Sequence, residues 1–87
     1  MNDIEFVNMC KESVADYTNK HLDKTDGNRI TTADVYIVWQ VKALQNSKAL
    51  LSTTLSDGMY YEATYNGDKS QIYLDAYKKF ENVEINL

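Results

Sequence analysis

The feature that most constrains the fold is a run of three β-type segments joined by very short connections. Val35–Ala43 is rich in β-branched and aromatic side chains, and residues 49–55 and 59–65 continue the pattern. Residues 45–47 and 56–58 are the connections, each about three residues long. Since parallel strands need crossovers of a dozen residues or more, such loops permit only antiparallel neighbours. The sequence therefore predicts a three-stranded meander, with Gly58 in the left-handed conformation of a three-residue hairpin.

The alternation of side chains along these strands predicts two different faces. If each hairpin loop holds three residues, one face is apolar and the other is mixed. The apolar, inward set is Ile37, Trp39, Val41, Ala43, Ala49, Leu51, Thr53, Leu55, Met59, Tyr61, Ala63 and Tyr65. The outward set is Tyr36, Val38, Gln40, Lys42, Leu50, Ser52, Thr54, Tyr60, Glu62 and Thr64.

A helix is predicted on each side of the meander. The first covers residues 3–22, where Asn2 and Glu5 have capping-box spacing and a turn at residues 26–28 follows. Its apolar stripe is Phe6, Val7, Cys10, Val14, Tyr17 and His21. The second covers residues 69–82, with an apolar side of Ile72, Tyr73, Ala76, Phe80 and Val83. The predicted fold is one α+β domain over residues 1–87, in the order α-β-β-β-α, with both helices on one sheet face. Residues 83–87 are expected to form a short extra strand or to fray.

Composition and charge narrow the classes of partner and the compartment. Nine basic residues, among them a single arginine (Arg29), are scattered among thirteen acidic ones, for a net charge of −4. Binding to a nucleic acid backbone is therefore not expected, because it depends on clustered Lys and Arg. Cys10 is the only cysteine and cannot form an intramolecular disulfide. The first residues do not resemble a secretory signal, and no stretch is long enough to span a bilayer, so a cytoplasmic location is expected.

Three stretches of this chain resemble a known family. They are KALQNSKALLSTT (residues 42–54), DGMYYEATYNGD (57–68) and YLDAYKKFEN (73–82). The family consists of short proteins of unknown function encoded by phages and prophages of Gram-positive bacteria, and the resemblance covers roughly residues 30–85. It implies an accessory protein acting inside a bacterium. It carries no assigned activity and no functional residues.

The segment from Asp23 to Asp34 sounds like the loop of a calcium-binding EF-hand. That loop needs Gly at its sixth position, a bidentate Glu at its twelfth and a helix on its far side. Here Asn28 is sixth, Asp34 is twelfth, and a predicted strand follows. A capped turn is the better prediction, and no metal site or cofactor is expected.

The only histidine and the only cysteine do not form a catalytic pair in the sequence. His21 lies near the carboxyl end of the first predicted helix, where the helix dipole favours it, and we expect it to be half-buried. Cys10 lies on the apolar stripe and is expected to pack in the core. Without a partnered nucleophile or base, an enzyme is not expected.

The open face of the predicted sheet is the candidate protein-binding surface. Its candidate residues are Tyr36, Val38, Gln40, Lys42, Ser52, Thr54, Tyr60, Glu62 and Thr64. A solvated face and a docking surface are both compatible with this composition, since tyrosine is enriched at interfaces. The functional hypothesis is a non-enzymatic phage-type accessory protein that binds a bacterial host protein, such as a defence component, and inhibits or modulates it. Two alternatives stay open: a protein that sequesters a nucleotide-type signal, and a structural protein that self-associates as a homodimer through a sheet face or edge.

Overall fold

One helix and a four-stranded antiparallel sheet make up the fold in a computed structural model, which describes residues 1–22 and 29–87. Helix α1 spans Asp3–His21, and a 3-10 turn spans Thr32–Asp34. The strands are β1 (Val35–Ala43), β2 (Asn46–Thr53), β3 (Met59–Asn66) and β4 (Gln71–Lys78). Their order in the sheet follows the chain, and α1 packs across β1, β2 and β3. The predicted α+β class is confirmed.

Helix α1 begins at the predicted cap. The side-chain oxygen of Asn2 accepts a hydrogen bond from the Glu5 amide at 2.8 Å, which satisfies one of the free N–H groups of the first turn. Phe6, Cys10 and Val14 are buried at four-residue spacing and face the sheet. The helix ends where the amide of Leu22 bonds to the carbonyl of Thr18 at 3.0 Å.

The predicted second helix at residues 69–82 is wrong, because this part of the chain forms β4. Ile72 and Ala76 fit a helical spacing, but with Leu74 between them they also fit the two-residue period of a strand. The free edge of β3 decides between these patterns, since β4 pairs with it from Asn66↔Gln71 to Met59↔Lys78. The sheet gains a fourth strand and loses its second covering helix.

A β-bulge at Val38 corrects the predicted faces of β1. The register shifts by one residue between Ile37 and Trp39, and every later residue changes sides. Trp39, Val41 and Ala43 were predicted to face inward but lie on the open side, while Gln40 and Lys42 were predicted to face outward but lie on the helix side.

The turn between β1 and β2 differs from the prediction in the same way. It has two residues, Leu44 and Gln45, instead of three at 45–47, and Leu44 adopts a positive φ of 57°. A loop shorter by one residue reverses which side chains face each other. Between the bulge at Val38 and the start of β1, the side chains again alternate as predicted, so Val35 is buried in the core.

The pairing of β2 with β3 places the predicted faces correctly. The connection spans residues 54–58, longer than the three residues predicted. An odd number of connecting residues preserves the alternation, so Ala49, Leu51, Tyr61 and Ala63 are all buried. Gly58 has the predicted left-handed conformation, with φ +69°.

The core lies between α1 and the first three strands. Its buried members are Phe6, Cys10, Val14, Ala15, Ile30, Val35, Ala49, Leu51, Tyr61 and Ala63. The side chain of Asn19 ties the returning chain to the helix through two hydrogen bonds with the backbone of Ile30, each 2.9 Å long. Residues 79–87 follow β4 without helix or strand and are exposed throughout, so the extra strand allowed by the sequence is not formed.

Candidate protein-binding face

The open face is the side of the sheet opposite α1. The register assigns to it Tyr36, Trp39, Val41 and Ala43 of β1, Asn46, Lys48, Leu50 and Ser52 of β2, Tyr60, Glu62, Thr64 and Asn66 of β3, and Gln71, Tyr73, Asp75 and Tyr77 of β4. No part of α1 packs on this side, so these residues form the broadest uncovered surface that the described strands offer.

Aromatic rings are concentrated on the open face. Tyr36 is 47% exposed and Trp39 43% exposed on β1, while Tyr73 and Tyr77 on β4 are 51% and 52% exposed. Tyr60 lies between these strands, opposite Tyr77, and is partly exposed. Rings left half-exposed on a folded surface keep apolar area in water that a partner could cover.

The charges of the open face lie between the aromatic rings. Lys48 forms an ion pair with Glu62, with 3.3 Å between Nζ and Oε1. In the strand register, Asp75 lies directly opposite Glu62, and along β4 it lies between Tyr73 and Tyr77. Because Lys48 already bonds to Glu62, the carboxylate of Asp75 is the negative group of this face that no cation of the described residues neutralises.

Several open-face side chains are held in place before any partner binds. The hydroxyl of Tyr73 donates a hydrogen bond to Gln71 Oε1 at 2.6 Å, which fixes the ring along β4. Ser52, whose cross-strand neighbours are Tyr36 and Tyr60, is buried and donates to the carbonyl of Met59 at 2.8 Å. Fixed rings lose little conformational entropy on binding, which favours affinity.

The structure brings together only part of the predicted set. Tyr36, Ser52, Tyr60, Glu62 and Thr64 lie on the open face as predicted. The other four candidates do not belong to the continuous surface. Gln40 and Lys42 lie on the helix side, Val38 is the extra residue of the bulge, and Thr54 follows the end of β2, where its amide bonds to the Asp34 carbonyl at 2.9 Å.

Sequence reasoning missed seven residues of the open face on β1 and β4. It assigned Trp39, Val41 and Ala43 to the inward face of β1, and Gln71, Tyr73, Asp75 and Tyr77 to a helix. A signal for β4 was present in the sequence. Tyr73, Asp75 and Tyr77 alternate with Ile72, Leu74 and Ala76, a two-residue period typical of a strand with one covered face.

Cys10 and His21 occupy separate structural positions. Cys10 is fully buried, as predicted, and burial raises the pKa of its thiol to about 11. His21 is the last residue of α1 and is exposed instead of half-buried; its ring stacks on Tyr17 and its Nδ1 lies 2.8 Å from the Tyr17 carbonyl. Among the described residues, neither the Cys10 thiol nor the His21 ring forms a hydrogen bond with a side chain that could serve as its partner in nucleophilic or general-base catalysis.

The first half of the calcium-like segment, residues 23–28, lies outside the described residues and includes the predicted turn at residues 26–28. Its last residue, Asp34, is engaged in capping the 3-10 turn, where its Oδ2 accepts from the Thr31 amide at 2.8 Å. Over residues 1–22 and 29–87, no three His, Cys, Asp or Glu side chains come together as a group that could hold a metal ion. The helix that the structure describes is not of the length and apolarity needed to cross a membrane.

Comparison with known proteins places the chain in a family without a known activity. A family model described as "Family of unknown function (DUF6275)" matches residues 7–87. That range contains all four strands and most of α1. No curated protein and no solved structure matches the chain.

Proposed function

This chain belongs to that family of unknown function, and we propose that it is a non-enzymatic binding protein that engages a bacterial host protein through the open face. Binding inhibits or modulates the host protein, with a component of a defence system as one such target. The observation that carries the proposal is the set of half-exposed rings at Tyr36, Trp39, Tyr73 and Tyr77 on one uncovered sheet face.

The energetics of interfaces favour this reading over a purely solvated face. Tyrosine and tryptophan are the side chains most enriched among residues that dominate binding free energy, because they bury large area with few rotatable bonds. A solvated face would be served by Thr, Lys and Glu alone. Here the polar residues Thr64, Lys48 and Glu62 lie among the rings, as in an interface with mixed apolar and polar contacts.

The surroundings of Asp75 suggest the chemistry of the partner. A carboxylate between two tyrosine rings suits an arginine or lysine side chain, which would form an ion pair with Asp75 and cation–π contacts with Tyr73 and Tyr77. The net charge of −4 would further attract a basic protein surface and accelerate encounter. The proposed partner therefore presents a basic side chain flanked by apolar groups.

The bacterial context comes from the resemblance of residues 42–54, 57–68 and 73–82 to phage-encoded short proteins. A small protein that acts by occupying a surface needs no catalytic group. Inhibition or modulation through binding is consistent with the surroundings of Cys10 and His21.

Photo-crosslinking tests whether the open face binds a protein. A photoreactive phenylalanine analogue replaces Tyr77 in one variant and Ile4, exposed on α1, in the matched control. Each variant is irradiated in the lysate of a Gram-positive bacterium, and the crosslinked protein is identified by mass spectrometry and purified. We expect a discrete adduct from position 77 and none from position 4.

The purified partner then provides the quantitative test. Tyr73→Thr and Tyr77→Thr together remove two rings while keeping strand-favouring residues, and should weaken binding tenfold or more, the usual consequence of losing central aromatic contacts. Ile4→Ala should leave the affinity unchanged. Equal affinity of the wild type and the double variant would contradict the proposal.

The crosslinking and purification also distinguish the alternative functions. A nucleotide-type molecule that co-purifies with the native protein, together with no protein adduct from position 77, would favour sequestration of a small molecule. An adduct of position 77 with a second copy of this chain would identify the open face as a self-association surface and would overturn the host-protein proposal.

A further inference from the structure

The segment after β4 carries apolar side chains that nothing in the described structure covers. Phe80 is 96% exposed, and Val83, Ile85 and Leu87 are also strongly exposed. From Val83 onward, apolar residues alternate with Glu84 and Asn86, so an extended chain would have one apolar and one polar side. This pattern is typical of a strand that packs on a surface, whereas here it lies in water.

The total surface of the chain is larger than that of a typical compact monomer of its size. A compact monomer of 10.0 kDa exposes about 5,200 Å². This chain exposes 6491 Å². The excess of about 1,300 Å² is of the order that each partner buries in a stable homodimer, where about 800 Å² or more per partner is usual.

A groove that could receive an apolar strand lies between α1 and β3, next to the helix side of β4. Helix α1 packs on the first three strands, and the helix-side residues of β4 are consequently less covered: Ile72 and Leu74 are half-buried and Ala76 is exposed. Next to them, Tyr17 and His21 on the helix and Met59 and Tyr61 on β3 line an open groove of about 240 Å³. Ala76 pairs with Tyr61 across the strands, so the helix side of β4 lies next to this groove.

The segment does not occupy the groove of its own copy, because residues 79–87 are exposed throughout. The amide of Lys79 bonds to the carbonyl of Gly58 at 2.8 Å, which extends the β3–β4 pairing to the very end of the hairpin. The chain then continues without forming a turn, and residues 79–87 contain neither Gly nor Pro. Since Gly58 adjoins Met59, the segment leaves the sheet next to a residue that lines the groove, and the corresponding groove of a second copy is free to receive it.

We infer that two copies of this chain form a symmetric dimer by exchanging residues 79–87. The apolar side of each segment, formed by Val83, Ile85 and Leu87, packs into the groove between α1 and β3 of the other copy and over the adjoining helix side of β4. The family match extends through residue 87, so the segment is part of the domain that the family shares. The dimer uses the helix side of the sheet, leaves the open face free, and does not depend on the proposed host partner.

Light scattering on the full chain tests the dimer. We expect the wild type to have twice the 10.0 kDa mass of the chain over a concentration series. Val83→Asp with Ile85→Asp places charges on the apolar side and should reduce the mass twofold. The matched control, Glu84→Gln with Asn86→Asp, changes the polar side of the same segment and should remain dimeric. A monomeric wild type, or a dimer that survives the aspartates, would overturn the inference.

Disulfide trapping between two different single variants tests the exchange itself. Ala76→Cys places a thiol on the groove side of β4, and Ile85→Cys places one on the segment; native Cys10 is fully buried and should not react. Mixed under oxidising conditions with different tags, the two proteins should form a disulfide-linked heterodimer in preference to either homodimer. A double variant that instead forms an intramolecular disulfide and stays monomeric would show that each segment folds back on its own copy, contrary to the inference.

Discussion

The two faces of the sheet present similar residue types in opposite circumstances. Leu51 and Leu50 are neighbours on β2, yet Leu51 is fully buried against α1 while Leu50 faces the open side. Tyr61 and Tyr60 on β3 differ in the same way, and Tyr61 is fixed further by a 3.3 Å hydrogen bond from the Thr18 hydroxyl. Apolar area that is buried within the chain stabilises the fold. Apolar area that stays in water contributes to stability only when a partner covers it, and it then stabilises the complex. The comparison indicates that one face supports folding, while the other keeps apolar side chains partly exposed, as the proposed binding surface requires.

The largest effect should come from shortening one leucine on each face. Leu51→Ala leaves a cavity in the core and should lower the free energy of unfolding by about 2–5 kcal/mol. Leu50→Ala removes the same atoms from the open side and should lower it by about 1 kcal/mol or less. Urea denaturation of the two variants measures both values, and equal losses would break the distinction between the faces.

The buried thiol of Cys10 should make the helix side sensitive to high pH. Its pKa is about 11 in the fold against 9.0 for a free thiol. Above pH 9 the unfolded chain loses this proton while the folded chain keeps it. The contribution of Cys10 to the free energy of unfolding is therefore fully present below pH 9 and is lost as the pH rises to 11. The loss from this one group is about 2–3 kcal/mol.

Urea denaturation at several pH values checks that loss, with Cys10→Ala as the control. Tyrosines that titrate in the same range remain in the variant, so the difference in slope between the two proteins isolates the thiol. Parallel pH dependences would show that Cys10 is accessible to water in the folded protein.

A smaller loss is expected where the chain returns to α1. Asn19→Ala removes both hydrogen bonds to the partly buried backbone of Ile30 and should lower the free energy of unfolding by about 1–3 kcal/mol. Asn8→Ala, on the exposed side of the same helix, should change it by no more than about 0.5 kcal/mol. Thermal unfolding followed by circular dichroism compares the two variants. Equal shifts in the midpoint of unfolding would argue that the hydrogen bonds between Asn19 and Ile30 do not stabilise the fold.

The parts of the fold that the sequence predicted are those set by local signals. The cap at Asn2, the buried stripe through Cys10 and Val14, and the left-handed Gly58 each depend on residues within a few positions of one another. The faces of β2 and β3 were also predicted, since a loop of three residues and one of five give the same alternation. All these features follow from patterns that one segment carries by itself.

The parts that sequence reasoning missed depend on pairing between segments. Nothing near Val38 announces a bulge, which follows from the two-residue turn at Leu44 and Gln45 and from the need to bury Val35. Residues 71–78 suit either a helix or a strand, and only the free edge of β3 selects the strand. Because both errors fall on the open face, seven of its residues escaped prediction, three on β1 and four on β4.

The smallest effect on folding is expected for the rings of β4. Tyr73→Thr and Tyr77→Thr remove half-exposed rings from an edge strand and should each change the free energy of unfolding by no more than about 0.5 kcal/mol. The same changes should weaken partner binding tenfold or more, so folding and binding would separate at these positions. Urea denaturation measures the first quantity, and losses approaching that of Leu51→Ala would mean that the open face also supports folding.

The most direct test of the central claim uses the only tryptophan, Trp39, which lies on the open face. Incorporation of 5-fluorotryptophan gives this chain a single fluorine resonance. The resonance can be followed while the purified partner, identified by crosslinking, is added. We predict that the resonance of the wild type shifts or broadens. The resonance of the Tyr73→Thr, Tyr77→Thr double variant should stay unchanged at partner concentrations below the dissociation constant of that variant. A complex that is detected by size-exclusion chromatography but leaves the resonance of the wild type unchanged would contradict the claim that the open face is the binding surface.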